Sequence, residues 1–295
     1  MTKGIFYENS QGTQIRFDGA NIRVKESDLR DFTWSYSLSH KPNGYGSRLN
    51  RFSRPAIEKS IGLSIRGRSR EECIEALNAL HAATEADITR GKPGRLYLDG
   101  QYLICYLGIS SKIEAWRGGF HFLEKTLTIL VLAPFWYTEV TQAFRAGEVD
   151  SSQYGKRYNG RYPYQYGTGY ANKILYNDHH SEAPAIITIY GPCEDPQIYI
   201  AGNLYGISGA GAGDGERIVL DQLERTIYRV SVKGETTNLF DYRIKTSDQF
   251  IPIPSGDVAV QFSGEFGFDV KLMQQRSEPK WIRFTQPMKR SKSEK

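Results

Sequence analysis

The run GISGAGAGDGE (206–216) carries Ser208 among glycines, the kind of stretch that cradles a phosphate or presents a nucleophile. A dinucleotide fingerprint needs G-x-G-x-x-G opening a helix, because backbone N–H groups at a helix N-terminus hold the pyrophosphate. Counted from Gly211, Glu216 stands where the third glycine belongs, and RIVLDQLERTIYRVSV after it alternates like strands. The nucleophile elbow G-x-S-x-G also fails by one residue, with Ala210 in the last glycine's place. The run therefore reads as a mobile loop between strands. Asp178-His179-His180 offers metal-ligating types, but adjacent residues of a strand point to opposite faces and no H-x-x-x-H or Cys/His spacing assists them. It reads as a solvated loop. His40, His81 and His121 have no recognisable triad partner, and His81 lies beside an apolar helical stripe. Cys73, Cys105 and Cys193 are odd in number and far apart, which suits small core residues better than a disulfide framework. A glycosidase pair is identified by spatial separation, which spacing in sequence does not give. The expectation is no catalytic residue, no cofactor, no metal and no enzymatic activity.

A second pattern concerns contact. YGKRYNGRYPYQYGTGYANKILY (154–176) places every tyrosine on an even number: Tyr154, Tyr158, Tyr162, Tyr164, Tyr166, Tyr170 and Tyr176. Glycines and Pro163 exclude a helix. Period two is the strand period, and a strand containing proline is an edge or unpaired segment. Tyrosine is stiff and amphipathic and suits wet contact surfaces. The ribbon is read as packed on its own domains, paired with another subunit, or stacking a sugar. Tyr158, Tyr162, Tyr164, Tyr166 and Tyr170 are the candidate interface residues. Lys156, Arg157 and Arg161 lie among them, few for the charged groove that single-strand nucleic-acid binding by stacking needs.

The elements around these motifs are mostly strands. Ile15 and Phe17 share one face of 13–17; Phe32, Trp34, Tyr36 and Leu38 share one face of 31–38, predicting a half-buried strand. A further strand follows at 57–66. Ser69 with Glu72 forms a capping box for a helix over about 69–90, which Gly91 and Pro93 end. Strands 95–98 and 102–110 meet at Asp99-Gly100, a hairpin signal. Residues 120–132 read as a buried strand. Strands resume at 186–190, 197–200, 217–220, 226–232, 258–262 and 266–272, spaced as in a β-sandwich.

The 295 residues allow two domains, and the 39% apolar and 13% aromatic content suffices for real cores. A net charge of +5 is short of a dedicated nucleic-acid binder. The longest apolar run, 127–136, is too short for a bilayer, which needs roughly 20 residues. With no signal-peptide pattern at the N-terminus, the expectation is synthesis in the cytoplasm and no membrane insertion. The fold class predicted is mainly β. A first domain at 1–140 holds the one helix; 141–180 is a Tyr/Gly-rich connection, 181–277 a β-sandwich, and 286–295 a basic disordered tail.

In order along the chain, Arg51-Phe52, PGRLY (93–97), APFWY (133–137), the tyrosine ribbon, IYGPCEDP (189–196), IPIPSG (251–256) and EPKW (278–281) resemble the distal tail protein of long-tailed bacteriophages of Gram-positive hosts. The resemblance implies a structural virion protein. Its β-sandwich-like N-terminal domain forms a hexameric ring at the tip of the tail tube, and a galectin-like or carbohydrate-binding-module-like sandwich hangs outside. It implies as partners other copies of itself, the tail tube protein, the tape measure and the tail-associated or baseplate proteins, with DNA only as passing cargo. It implies that segment 278–285, with Trp281–Phe284, returns to the first domain. The alternative is a lectin-like protein that binds cell-wall saccharide through the second domain.

Overall fold

The computed structural model describes residues 4–41, 44–117, 122–147 and 171–281, and for 109–117 and 171 the backbone alone. The chain divides into two compact units, 1–137 with 276–295, and 138–275.

The first unit opens with β1 (Ile5–Glu8), β2 (Gln14–Arg16), β3 (Ile22–Ser27), β4 (Ser35–His40), β5 (Ser47–Ser53) and β6 (Ile57–Arg66). Helix α1 (Arg70–Arg90) follows, then β7 (Gly94–Leu98), β8 (Gln101–Arg117), β9 (Phe122–Val131) and β10 (Trp136–Phe144), whose Trp136 and Tyr137 belong here. Strand β8 is long enough to serve two sheets. Its first residues pair with β7, which leads to β1 and β2, and its later ones pair with β9, which leads to β6 and β3. The sandwich core lies along these strands: Tyr7, Ile61, Leu63, Ile65, Leu96, Leu103, Leu127, Ile129 and Trp136 are all buried. Residues 120–132 are read as a buried strand. A strand, β9, lies there, with Leu123, Lys125, Leu127, Ile129 and Val131 inward and Leu130 outward.

Helix α1 follows from local signals. Ser69 accepts a hydrogen bond from the Glu72 N–H at 3.2 Å, and Gly91 takes the left-handed conformation at the C-terminus, φ 63°. Cys73, Leu80 and Ala83 face the core. Ile74 and Ile88, which the helical spacing places in the apolar stripe, face outward. At Asp99-Gly100 both residues have positive φ, 50° and 83°, as a two-residue hairpin turn requires.

The second unit holds the rest of β10, then β11 (Ala171–Asn177), β12 (Ala185–Tyr190), β13 (Cys193–Glu194), β14 (Gln197–Ile200), β15 (Asn203–Gly206) and β16 (Gly211–Ala212). After these come β17 (Arg217–Asp221), β18 (Thr226–Val230), β19 (Thr236–Asn238), a 3-10 turn at Phe240–Tyr242, β20 (Gly256–Phe262) and β21 (Phe268–Arg276). One sheet runs β19-β18-β17-β12-β21-β10 and another β11-β20-β14-β15. Alternating residues of both bury a common core, including Leu175, Ile187, Ile198, Tyr205, Ile218, Val260, Phe262 and Phe268. Strand β11 and the end of β10 (141–144) fall inside 141–180, the stretch read as a connection. The alternation in β11 is short: Leu175 and Asn177 point in, Ile174 and Tyr176 out. Among the described residues, strand β11 has one strand neighbour, β20. The Gln142 side chain also bonds it, its amide donating to the Ile174 carbonyl at 2.6 Å and accepting from the Tyr176 N–H at 3.1 Å.

Among the described residues, no helix is long and apolar enough to cross a membrane.

Candidate assembly surface

Strands β4 and β5 form a two-stranded sheet of their own, and every residue in them is exposed. The half-buried strand predicted at 31–38 is therefore corrected. Phe32, Trp34, Tyr36 and Leu38 do alternate, but all four remain exposed among the described residues. Pairing follows Tyr36↔Phe52 and Ser37↔Arg51, then shifts to Leu38↔Leu49 and Ser39↔Arg48. Asn50 is the extra residue of this β-bulge, and its Oδ1 accepts from the Ser39 hydroxyl at 3.0 Å. Leu49 and Phe52 are three apart and would face opposite ways in a regular strand. The bulge brings both to the face of Tyr36 and Leu38. That face is 45–64% exposed at Leu49, Leu38, Phe52 and Tyr36. The other face carries Ser37, Ser39, Arg48 and Arg51.

The root of this arm is fixed. Leu29 is buried in the core just before it. The buried Lys59 ammonium donates to the carbonyls of Asp28 and Asp31 at 2.9 and 2.5 Å, and burial pushes its pKa down. The Asp28 carboxylate accepts from the Ser60 N–H at 2.8 Å. Trp34 packs edge-on against Phe52 and Phe135, with ring centroids 6.3 and 6.4 Å apart. The Arg54 guanidinium lies 5.2 Å from the Trp34 ring and 4.8 Å from the Phe135 ring. An uncovered apolar ribbon on a fixed base is suited to binding another surface, since a lone hairpin is marginal in water.

Comparison with solved structures bears on what such a protein is. The SPP1 Dit (gp 19.1) protein, described as a paradigm of the hub adsorption apparatus in Gram-positive infecting phages, matches with a TM-score of 0.59 at 12% identity, covering 94% of this chain and 100% of that one. A chain of the phage P2 baseplate, in its activated conformation with Ca, matches with a TM-score of 0.62 at 14% identity, over 93% and 98% of the two chains. The same baseplate with Sr gives 0.60, at 14% identity over 93% and 99%. The chain has the Dit hub fold. No family model and no curated protein matches the sequence.

On this Dit-like fold the residues singled out for chemistry have structural roles. Loop 206–216 opens no helix. The Gly209 and Ala210 N–H groups donate to the Asp195 carboxylate at 2.5 and 3.2 Å, and the Gly213 N–H donates to Glu216 at 2.8 Å. Gly206 and Gly211 pass so close to the Pro196 and Cys193 carbonyls that a Cβ at either would collide. The loop expected to be mobile is thus pinned, and its N–H groups already bond carboxylates of the same chain. His179, expected in a solvated loop, is buried, with Nδ1 3.0 Å from the Ser181 hydroxyl. The Asp178 carboxylate accepts from the Gln274 amide at 2.6 Å. Among the described residues, no group of three or more His, Cys, Asp or Glu is placed to hold a metal. Cys73 and Cys105 are buried free thiols, and burial pushes the Cys105 pKa up to about 12.

The candidate interface residues Tyr158, Tyr162, Tyr164, Tyr166 and Tyr170 lie outside the described residues. Trp281 lies 4.1 Å under the Arg30 guanidinium, and the Lys280 N–H and carbonyl both bond the Gln101 amide, at 2.7 and 3.1 Å. In the second unit a shallow depression of about 510 Å³ is lined by Thr226, Ile227, Tyr228, Thr236, Asn238 and Phe240.

Proposed function

We propose that this chain is a structural hub of a phage tail. Copies of it form a ring, six by the resemblance, at the distal end of the tail tube. The ring joins the tube to tail-tip or baseplate proteins and leaves a channel for tape measure and DNA. The chain acts by assembly, without catalysis, at the virion tail tip after synthesis in the host cytoplasm. One observation carries this reading: the likeness to the SPP1 Dit protein runs along 94% of this chain and the whole of that one, so it includes both units. A likeness of one sandwich alone would be compatible with many functions. The β4–β5 arm supplies an uncovered surface of the kind that assembly needs. The domain scheme of a ring-forming 1–140, a connection at 141–180 and an outer sandwich at 181–277 belongs to the same proposal, as does a contact role for Tyr158, Tyr162, Tyr164, Tyr166 and Tyr170. The test is the mass in solution together with immunolabelling of virions. Six copies of a 33.5 kDa chain give roughly 200 kDa. A strict monomer at high micromolar concentration, with no label at the tail tip, would overturn the reading.

A second reading rests on the depression in the second unit. Aromatic Tyr228 and Phe240 beside Thr226, Thr236 and Asn238 is the mixture a saccharide platform uses. Titration of cell-wall glycan fragments against wild type and Y228A/N238A distinguishes it: loss of binding in the variant supports a lectin-like role, and no heat in either removes it.

A further inference from the structure

The arm's composition indicates what covers it. Residues 35–53 contain Lys41, Arg48 and Arg51 and no acid. Its surface is therefore apolar on one face and basic on the other. A matching surface must offer exposed apolar side chains among carboxylates. The outer stripe of α1 has this character. Ile74 and Ile88 are 39% and 49% exposed, with Glu71, Glu75, Asn78, Ala82 and Glu85 exposed between and around them. Arg70 and Arg90 stand at the two ends of the helix. A second exposed apolar pair among the described residues of this unit, Leu130 and Leu132, has Glu58 beside it across the β6–β9 pairing, one carboxylate against the three along the helix stripe. In this chain the arm and the helix stripe are both exposed, so neither covers the other.

We infer that the apolar face of the β4–β5 arm of one copy docks on the outer Ile74–Ile88 stripe of α1 in a second copy, with Lys41, Arg48 and Arg51 drawn to its glutamates. The inference rests on the self-assembly proposed above and names the surfaces that carry it. The ribbon is two strands wide, with strands about 5 Å apart. Arg48 and Arg51 rise from the opposite face, and their long stems let the guanidinium groups reach round so narrow a ribbon toward carboxylates at the rim of whatever the apolar face covers. The contact joins unlike surfaces, arm to helix. It repeats head to tail, and such a contact gives a ring when its rotation closes. Two arms paired with each other would offer the basic residues of both copies no carboxylate from either, which disfavours that pairing.

The experiment uses two full-length charge variants. Variant one, K41E/R48E/R51E, makes the arm acidic. Variant two, E75K/N78K, makes the centre of the stripe basic and leaves the capping residues Ser69 and Glu72 untouched. All five positions are exposed, so thermal melts close to wild type are expected and serve as the folding control. Wild type assembles. Each variant alone is expected to associate on the order of a hundredfold more weakly, because like charges now face each other. An equal mixture is expected to regain the wild-type mass, since each arm then finds a helix of opposite sign. Recovery by mixing is the outcome that supports arm-to-helix docking, because a merely damaged surface would not regain function from a second damaged surface. Two variants that both assemble normally would overturn the inference, as would an arm variant that fails and is not rescued. Capture of a 20-nucleotide single strand by wild type but not by variant one, without rescue of mass, would reassign the arm to nucleic acid. Should variant two melt early, I74S/I88S replaces it, and undiminished assembly of that variant would equally overturn the helix as acceptor. A wild type that never assembles would defeat the ring itself. A wild type that assembles without rescue defeats only this pairing.

Discussion

Tyr7, Asp87 and Gly94 form a buried polar knot in the first unit. Both side chains are fully buried, the Tyr7 hydroxyl donates to the Asp87 carboxylate, and the Ser10 N–H donates to the same carboxylate at 2.7 Å. A Cβ at Gly94 would collide with both side chains, so only glycine lets β7 pass there. Removing the Tyr7 hydroxyl leaves a buried carboxylate short of a donor. Y7F should cost about 2 kcal/mol, read from the midpoint of urea unfolding. The knot also sets a pH dependence. Burial first, then the bond to Asp87, pushes the Tyr7 pKa far above its ordinary 10.0. Above about pH 10 the unfolded tyrosine releases its proton and the folded one keeps it, so stability falls as pH rises from there. Tyr205 and Tyr228, also raised by burial, act in the same direction. Unfolding midpoints from pH 8 to 11 should drop for wild type and drop less for Y7F. Cys73 and Cys105 should resist alkylation in the native protein and react at once in denaturant, which a mass measurement after maleimide treatment would check.

Among the elements, the arm concentrates its residues' effect on association instead of folding. L38S/F52S should leave the melting temperature almost unchanged, since exposed substitutions usually stay within about 0.5 kcal/mol, yet lower the assembled mass at a fixed concentration. A melting temperature that fell together with the mass would show that the arm is part of its own unit's core. This element also shows what a sequence conveys. The parity of Phe32, Trp34, Tyr36 and Leu38 was legible, because alternation reports which side chains share a face. Their exposure was not, because alternation is silent on whether a second layer covers that face. Strand β5 was hidden for another reason: the bulge at Asn50 breaks the period, so Leu49 and Phe52 do not read as partners. Helix α1 was legible to within a residue at its start, because Ser69, Glu72 and Gly91 act on their own neighbours. The outward turn of Ile74 and Ile88 was not, nor was the burial of His179, since both depend on remote packing. In the same way 206–216 displays its glycines in sequence and conceals Asp195, the acceptor that holds two of its N–H groups.

For the whole molecule, the likeness at 12% identity over nearly the full chain means that fold has outlasted almost every individual side chain. Order of elements survives such divergence better than contacts do, which is why short segments in sequence carried the resemblance while no single motif could. Light scattering from 1 to 50 µM should find the roughly 200 kDa species gaining over monomer as concentration rises, and added salt should shift it toward monomer if basic and acidic faces meet. A protein built to stop at a closed number of copies must also avoid growing in any other way. Strand β11, with one strand neighbour among the described residues, is where a second molecule could add itself strand by strand. Gln142 meets that hazard from within: its amide holds the Ile174 carbonyl and the Tyr176 N–H in the manner of a neighbouring backbone. Replacing Gln142 by alanine would free one donor and one acceptor beside the exposed Ile174 and Tyr176, the kind of bare rim from which fibrils extend. Q142A should therefore fold and melt nearly as wild type does, but gain thioflavin fluorescence and turbidity on quiet storage at high concentration, whereas wild type stays clear.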